Sequence, residues 1–222
     1  MKTALLLIVL LSALNVCAGG VNTHNSSDLR KWSVSISLTK TFKGPADDLA
    51  NAMRNSGFRK TKSSYSNVSF VMRARYRIAS PFSIGLSIGS LNLGTADGGP
   101  VSLSVKSSAR VIAPVVTGSI EDFLSFGIGP SLCFIEAEDQ PIDVDDMVDR
   151  YKQTKVGLWL EAELRVPSRS AFFATIDLTA QKLGSAEVGP FNYKFIYTKS
   201  TLPATKVNFD NLSVGFGIGF RF

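Results

Sequence analysis

Large apolar side chains recur at every second position in eight separate stretches of the chain, with small or charged residues between them. The last stretch, Asn211 to Phe222, is the clearest. Leu212, Val214, Phe216, Ile218, Phe220 and Phe222 alternate with Ser213, Gly215, Gly217, Gly219 and Arg221. Period two is the mark of a β-strand, whose successive side chains point to opposite faces. A strand of a soluble sandwich also buries one apolar face, but its other face is usually rich in long Lys and Glu. Here the second face is nearly bare. Glycine and serine suit the crowded inside of a small closed barrel, and the apolar face then turns outward to lipid.

Seven more stretches follow the same rule. "KWSVSISLTK" sets Trp32, Val34, Ile36 and Leu38 against Ser33, Ser35, Ser37 and Thr39, and "NVSFVMRARYRI" sets Phe70, Met72, Ala74 and Tyr76 against Val71, Arg73, Arg75 and Arg77. "SIGLSIGSLNLG", "FLSFGIGPSLCFI", "VGLWLEAELRV" and "FFATIDLTAQ" each give one apolar and one small or charged face. The fourth stretch, "VSLSVKSSARVIAPVV", is the least regular. Its pattern allows Val105, Ala109, Val111 and Val115 outward with Lys106 and Arg110 inward, and Pro114 suggests an irregular end or bulge. Connections alternate between short turns and long polar loops, "TADGGP" excepted. Trp32, Tyr76, Phe82, Phe123, Phe172, Phe220 and Phe222 gather near the short-turn end, as an interfacial aromatic girdle does. The fold class this predicts is all-β: an eight-stranded antiparallel up-and-down transmembrane barrel over 32–222, with a ten-stranded arrangement as the alternative.

The N-terminal "MKTALLLIVLLSALNVCAGG" reads as a signal peptide over 1–18, cleaved after Ala18, followed by a flexible tail over 19–31. A membrane anchor and lipidation at Cys17 are the alternatives. Without that segment Cys133 is the single thiol, so no internal disulfide is available. The formal net charge is +6 at pH 7, yet the basic residues form no block, which argues against nucleic acid as a partner. Charges or glycines interrupt every later apolar run, so a membrane location requires a barrel.

The whole stretch from Trp32 to Phe222 resembles the small outer-membrane β-barrels of Gram-negative bacteria, the eight-stranded OmpA- and OmpX-type proteins. The alternating Phe216, Ile218, Phe220 and final Phe222 resemble the family's C-terminal assembly signal, and "FGIGPSL" resembles a strand common in it. The resemblance implies export to the outer membrane, a lipid environment and contact with the barrel-assembly machinery during biogenesis. The peptidoglycan-binding domain that some of these proteins carry after the barrel is expected to be missing.

Candidate chemistry is sparse. The one histidine, His24, lies in the polar tail, and no Cys/His spacing fits a metal. Neither an enzyme nor a cofactor is expected. The inward charges are the main candidate site: Arg73, Arg75, Arg110, Arg165 with Glu161, Glu163 and Asp177, joined by Arg77 and Arg221. They read as an ion-pair network filling the lumen, with a charge-selective constriction as the alternative. Three loops are left to carry recognition. "GPADDLANAMRNSGF" has the caps of a helix and a stripe of Leu49, Ala52 and Met53 expected to pack on the barrel rim. "EAEDQPIDVDDMVDRY" is expected to be a solvated acidic loop without the spacing of an EF-hand. "GPFNYKFIYTKSTLPATKVNFDN" sets Phe191, Tyr193, Phe195 and Tyr197 at alternate positions, as a ribbon above the membrane would. The expected protein is a monomer whose role is structural or surface-binding, carried by its external loops and a loop-bound protein partner. A narrow pore or carrier and, more remotely, a lipid-modifying enzyme are the alternatives.

Overall fold

The computed structural model describes residues 30–99, 103–120, 122–141, 149–168, 170–195 and 198–222. The expected signal peptide, most of the tail with His24, and Tyr197 lie outside them.

Eight strands close into a ring. They are β1 (Trp32–Lys43), β3 (Val68–Ala79), β4 (Phe82–Gly99), β5 (Leu103–Ile120), β6 (Leu124–Pro141), β7 (Arg150–Val166), β8 (Phe172–Lys182) and β13 (Asn211–Arg221). Each pairs antiparallel with its neighbour, and β13 returns to β1 through registers such as Ile36↔Ile218 and Leu38↔Phe216. Between β1 and β3 the chain forms α1 (Ala46–Asn55) and β2 (Arg59–Ser64), which pairs with the upper part of β4. After β8 come two ribbons: β9 (Ser185–Val188) with β12 (Thr205–Asn208), and β10 (Phe191–Phe195) with β11 (Thr198–Leu202). The ten-stranded alternative is therefore set aside, and the "GPFNYKF" loop is a ribbon as expected.

The alternation explains most of the ring. Ile36, Leu38, Phe70, Ile84, Ile128, Leu160, Ile176 and Phe216 are exposed on the outer wall, while Ser35, Ser37, Ser87, Ser125, Thr175 and Ser213 are buried inside. The aromatic girdle packs at the short-turn end, with Trp32 against Tyr76 at 5.0 Å and Phe172 against Phe220 at 4.7 Å between centroids.

β5 corrects the sequence reading. Val105, Ala109, Val111 and Val115 are buried inside the barrel, whereas Ile112, Val116 and Arg110 face out. Arg110 is thus no member of the lumen network. Both faces of this strand carry apolar residues, so alternation alone does not choose between them. Space does: Val111, Ala113 and Val115 belong to the same buried cluster as Trp159 and Cys133. Pro114 faces outward within the strand and does not end it. Lacking an N–H, it interrupts the ladder between the pairs Ile112↔Leu132 and Val116↔Ile128. There the strands approach so closely that a Cβ on Gly129 would collide with the Pro114 carbonyl oxygen.

Four strands are longer than the sequence pattern suggested. "TADGGP" and much of the acidic stretch are not loops: Thr95–Gly99 extends β4, and Glu136–Pro141 extends β6. The remainder of the acidic loop, 142–148, lies outside the described residues. Above the lipid-facing band the polarity inverts. Leu91, Leu93, Leu103, Val105, Ile135 and Ala137 now point inward, and Lys106, Glu136, Glu138, Arg150 and Lys152 point away from the core. The strand continues while its apolar face changes sides.

Candidate functional site

The lumen has two storeys. The lower one is polar and charged, and its members come from β1, β3, β4, β7, β8 and β13, because those strands place Ser, Thr, Gly or charged residues inward. Glu161 is its hub. Its Oε2 accepts hydrogen bonds from Arg73 Nε at 3.1 Å, Trp159 Nε1 at 3.0 Å and Ser87 Oγ at 3.2 Å, while Oε1 pairs with Arg75. Arg73 Nη1 lies 3.1 Å from Asp177 Oδ1 and donates to Ser37 Oγ at 2.8 Å. Glu163 and Asp177 stand directly opposite one another on β7 and β8. Such a like-charge pair repels on its own. Arg73 relieves it, since its Nε is also 3.8 Å from Glu163 Oε2. Arg165 pairs with Glu163 as well, and Ser35 Oγ donates to that carboxylate at 3.4 Å.

These side chains are almost wholly enclosed. Arg73 is 1%, Glu161 5% and Asp177 1% exposed. Nearer the short turns, the Phe173 ring lies between two cations, 5.5 Å from Arg165 and 4.9 Å from Arg221. Arg221 also holds the turns closed by donating to the Ser168 and Asp122 carbonyls, and Arg77 pairs with the Asp122 carboxylate. The geometry brings together Arg73, Arg75, Glu161, Glu163, Arg165 and Asp177, and leaves out Arg110. The bonding of Trp159, Ser37 and Ser87 was not visible in the sequence, where they read only as bulk or as small fillers.

The upper storey is apolar and closed by α1. Leu49, Ala50 and Met53 bury into a cluster with Leu91, Leu93, Leu103, Val105, Leu202, Val207 and Phe209. Ala50 rather than Ala52 sits at the centre of the stripe; Ala52 is only partly covered. Polar contacts tie the helix down at its first turn. Asp47 accepts from Tyr65 Oη at 2.8 Å and from Ser63 Oγ at 2.5 Å, and Asp48 accepts from the Asn208 N–H at 2.8 Å. Burial and the Asp47 carboxylate push the Tyr65 phenol up from its usual range, so it remains a donor. A groove of about 340 Å³ lies among Phe126, Ile128, Leu160, Ala162, Leu178 and Ala180 on the outer wall, where it opens toward lipid.

The extended strands β4–β7 stand beyond the lipid band as a sheet. One of its edges is covered by β2 on β4. The other is β7. Its pairing with β8 begins only at Leu158↔Lys182, so 150–157 have β6 on one side and no strand on the other among the described residues. Lys155 Nζ reaches across to the Leu183 carbonyl at 3.2 Å, but supplies no ladder.

No family model matches the chain, and no curated protein matches it either. Solved structures do. The outer membrane protein OprG from Pseudomonas aeruginosa is 13% identical, with 87% of this chain and 96% of that chain covered and a TM-score of 0.54. A major outer membrane protein from Thermus thermophilus is also 13% identical, covering 86% of this chain and 99% of that one, with a TM-score of 0.50. At such identity the likeness concerns architecture and not activity. The closed ring of eight antiparallel strands, apolar outside and charged within, has the fold of the small outer-membrane β-barrels.

Proposed function

We propose that the protein is a monomeric, non-enzymatic outer-membrane barrel that works by binding at the cell surface, with its lumen closed. The observation that carries this reading is the protruding β4–β7 sheet, whose β7 edge has no strand beside it among the described residues. An edge strand offers a row of free N–H and C=O groups, and an extended segment of another protein adds to it as a further strand. Its cations are already engaged, Arg150 and Lys152 with Glu138 and Glu136 of β6 and Lys155 with the Leu183 and Ser185 carbonyls, so the edge offers a partner main-chain groups rather than net charge. Beneath it, the ion pairs and the α1 lid leave the barrel interior as scaffold, in line with the narrow interior of eight strands. A narrow pore or carrier is the competing reading.

Phage-displayed extended peptides selected against the barrel in nanodiscs test the edge. Peptides of alternating pattern are expected to enrich, and N-methylation of their alternate amides should abolish binding while leaving every side chain in place. Selected peptides that tolerate N-methylation bind through side chains alone and refute strand addition.

Delivery to the outer membrane is part of the same proposal. Phe216, Ile218, Phe220 and Phe222 on the final strand form an alternating face for the barrel-assembly machinery. Phe222→Asp is expected to lower the amount of heat-modifiable barrel in outer-membrane fractions several-fold, roughly as for loss of one anchor of a strand-recognition contact. An unchanged amount would remove Phe222 from that role.

A further inference from the structure

The outward face of β5 changes character at a single level. Its positions run Ile120, Gly118, Val116, Pro114 and Ile112, and then Arg110, Ser108 and Lys106. In register, Ser90 of β4 and Phe134 of β6 flank Arg110, while Asn92 and Glu136 flank Ser108. The same change occurs on the neighbouring strands: Ile88 is followed by Ser90 on β4, and Phe134 by Glu136 on β6. Arg110 therefore stands where the apolar band meets the headgroup layer at the long-loop end.

The guanidinium has no ion-pair partner among the described residues. The nearby carboxylates are engaged elsewhere: Glu136 lies 3.6 Å from Lys152 Nζ, and Glu138 lies 3.1 Å from Arg150 Nε. This wall thus carries Lys106, Arg110, Arg150 and Lys152 against Asp97, Glu136 and Glu138, a slight local excess of cations. Beside Arg110 lie apolar Ile112 and Phe134, 40% and 45% exposed, which cannot solvate its charge. The small Ser90 and Ser108 leave the space around it open and add hydroxyl donors.

We propose that Arg110, Ser90 and Ser108 form a binding site for the phosphate-bearing headgroup of an anionic lipid in the outer leaflet. An arginine fork matches phosphate oxygens in paired hydrogen bonds. Basic groups at the membrane surface gather anionic lipids within a short range. The acyl chains of that lipid lie against Ile112, Val116 and Phe134 below, so one molecule satisfies the cation and the apolar wall together.

Native mass spectrometry of the folded barrel in a zwitterionic detergent reads the site. The probes are phosphatidylglycerol and phosphatidylcholine with identical chains. Wild type is expected to hold phosphatidylglycerol more tightly than phosphatidylcholine. Arg110→Ala should weaken phosphatidylglycerol about tenfold, the scale of losing a charge-assisted hydrogen-bonded pair, with Arg110→Lys in between. Lys40→Ala, on the outer face of β1, should leave it unchanged, and inorganic phosphate should fail to displace the lipid. Arg110 is exposed, so these variants keep the heat-modifiability of folded barrel. Equal retention of the two lipids, no effect of Arg110→Ala, or an equal loss in Lys40→Ala would each overturn the proposal, the last in favour of diffuse surface charge. Displacement by inorganic phosphate would assign the site to free anions instead.

Discussion

Glu161→Gln is expected to destabilise the folded barrel by roughly 3 kcal/mol, near the lower end of the cost of removing one partner from a buried ion pair. The carboxylate is shared by Arg73 and Arg75 and also accepts from Trp159 and Ser87. Glutamine retains an acceptor but brings no charge, so Arg75 loses its ion-pair partner and Arg73 keeps only Asp177 and Glu163, in a space closed to solvent. The measurement is the urea midpoint of reversible folding into vesicles. Because buried pairs are screened little by salt, the shift should persist from low to high ionic strength. Leu160→Ile on the lipid face is the control, expected to cost less than about 1.5 kcal/mol. Equal midpoints for Glu161→Gln and wild type would mean that Arg73 and Arg75 are neutralised by other groups. A shift that vanishes in salt would mean that water reaches the lower storey.

The second large effect belongs to the lid. Leu49 and Met53 are fully buried by the upper cluster. Truncating either to Ala removes contacts worth about 2–5 kcal/mol in a well-packed core. The loss should be local, because α1 is tied to the barrel by loops and the ladder beneath it does not depend on it. The Leu49→Ala, Met53→Ala double variant should therefore keep the vesicle-folding midpoint of wild type. Trypsin cleavage after Arg54 should rise about thirtyfold or more, the ratio that 2 kcal/mol implies. A joint fall of the midpoint would show that lid and barrel unfold as one unit. In planar bilayers neither wild type nor the double variant should give stable current steps, since the ion pairs below α1 still fill the lumen. Steps in the variant alone would make the helix the seal of a pore and promote the carrier reading.

Period-two alternation by itself determined a great deal: strands, their number, the inward face of seven of them, and the girdle at one end. That is because a strand embedded in lipid has only two faces, and the solvent on each side selects opposite side chains. Arg73, Glu161, Glu163 and Asp177 were legible as interior residues for the same reason. Their pairing was not. Which carboxylate meets which arginine depends on strands far apart in sequence, such as Arg73 and Arg75 on β3 against Glu161 on β7 and Asp177 on β8.

Tertiary structure alone decided three further things. It turned β5 round, because Val111, Ala113 and Val115 fill room beside Trp159, and its even face is apolar enough to meet lipid. It carried β4–β7 past the membrane, where the apolar face passes from outside to inside; a pattern reader sees the broken alternation as a loop. And it laid α1 across the mouth, and left β7 above Leu158 with β6 on one side and no strand on the other among the described residues. The helix was readable from its caps and stripe, but an amphipathic stripe says only that something apolar lies beneath it. What lies there is set by non-local packing against Leu93, Leu103 and Phe209, brought together only when the ring closes.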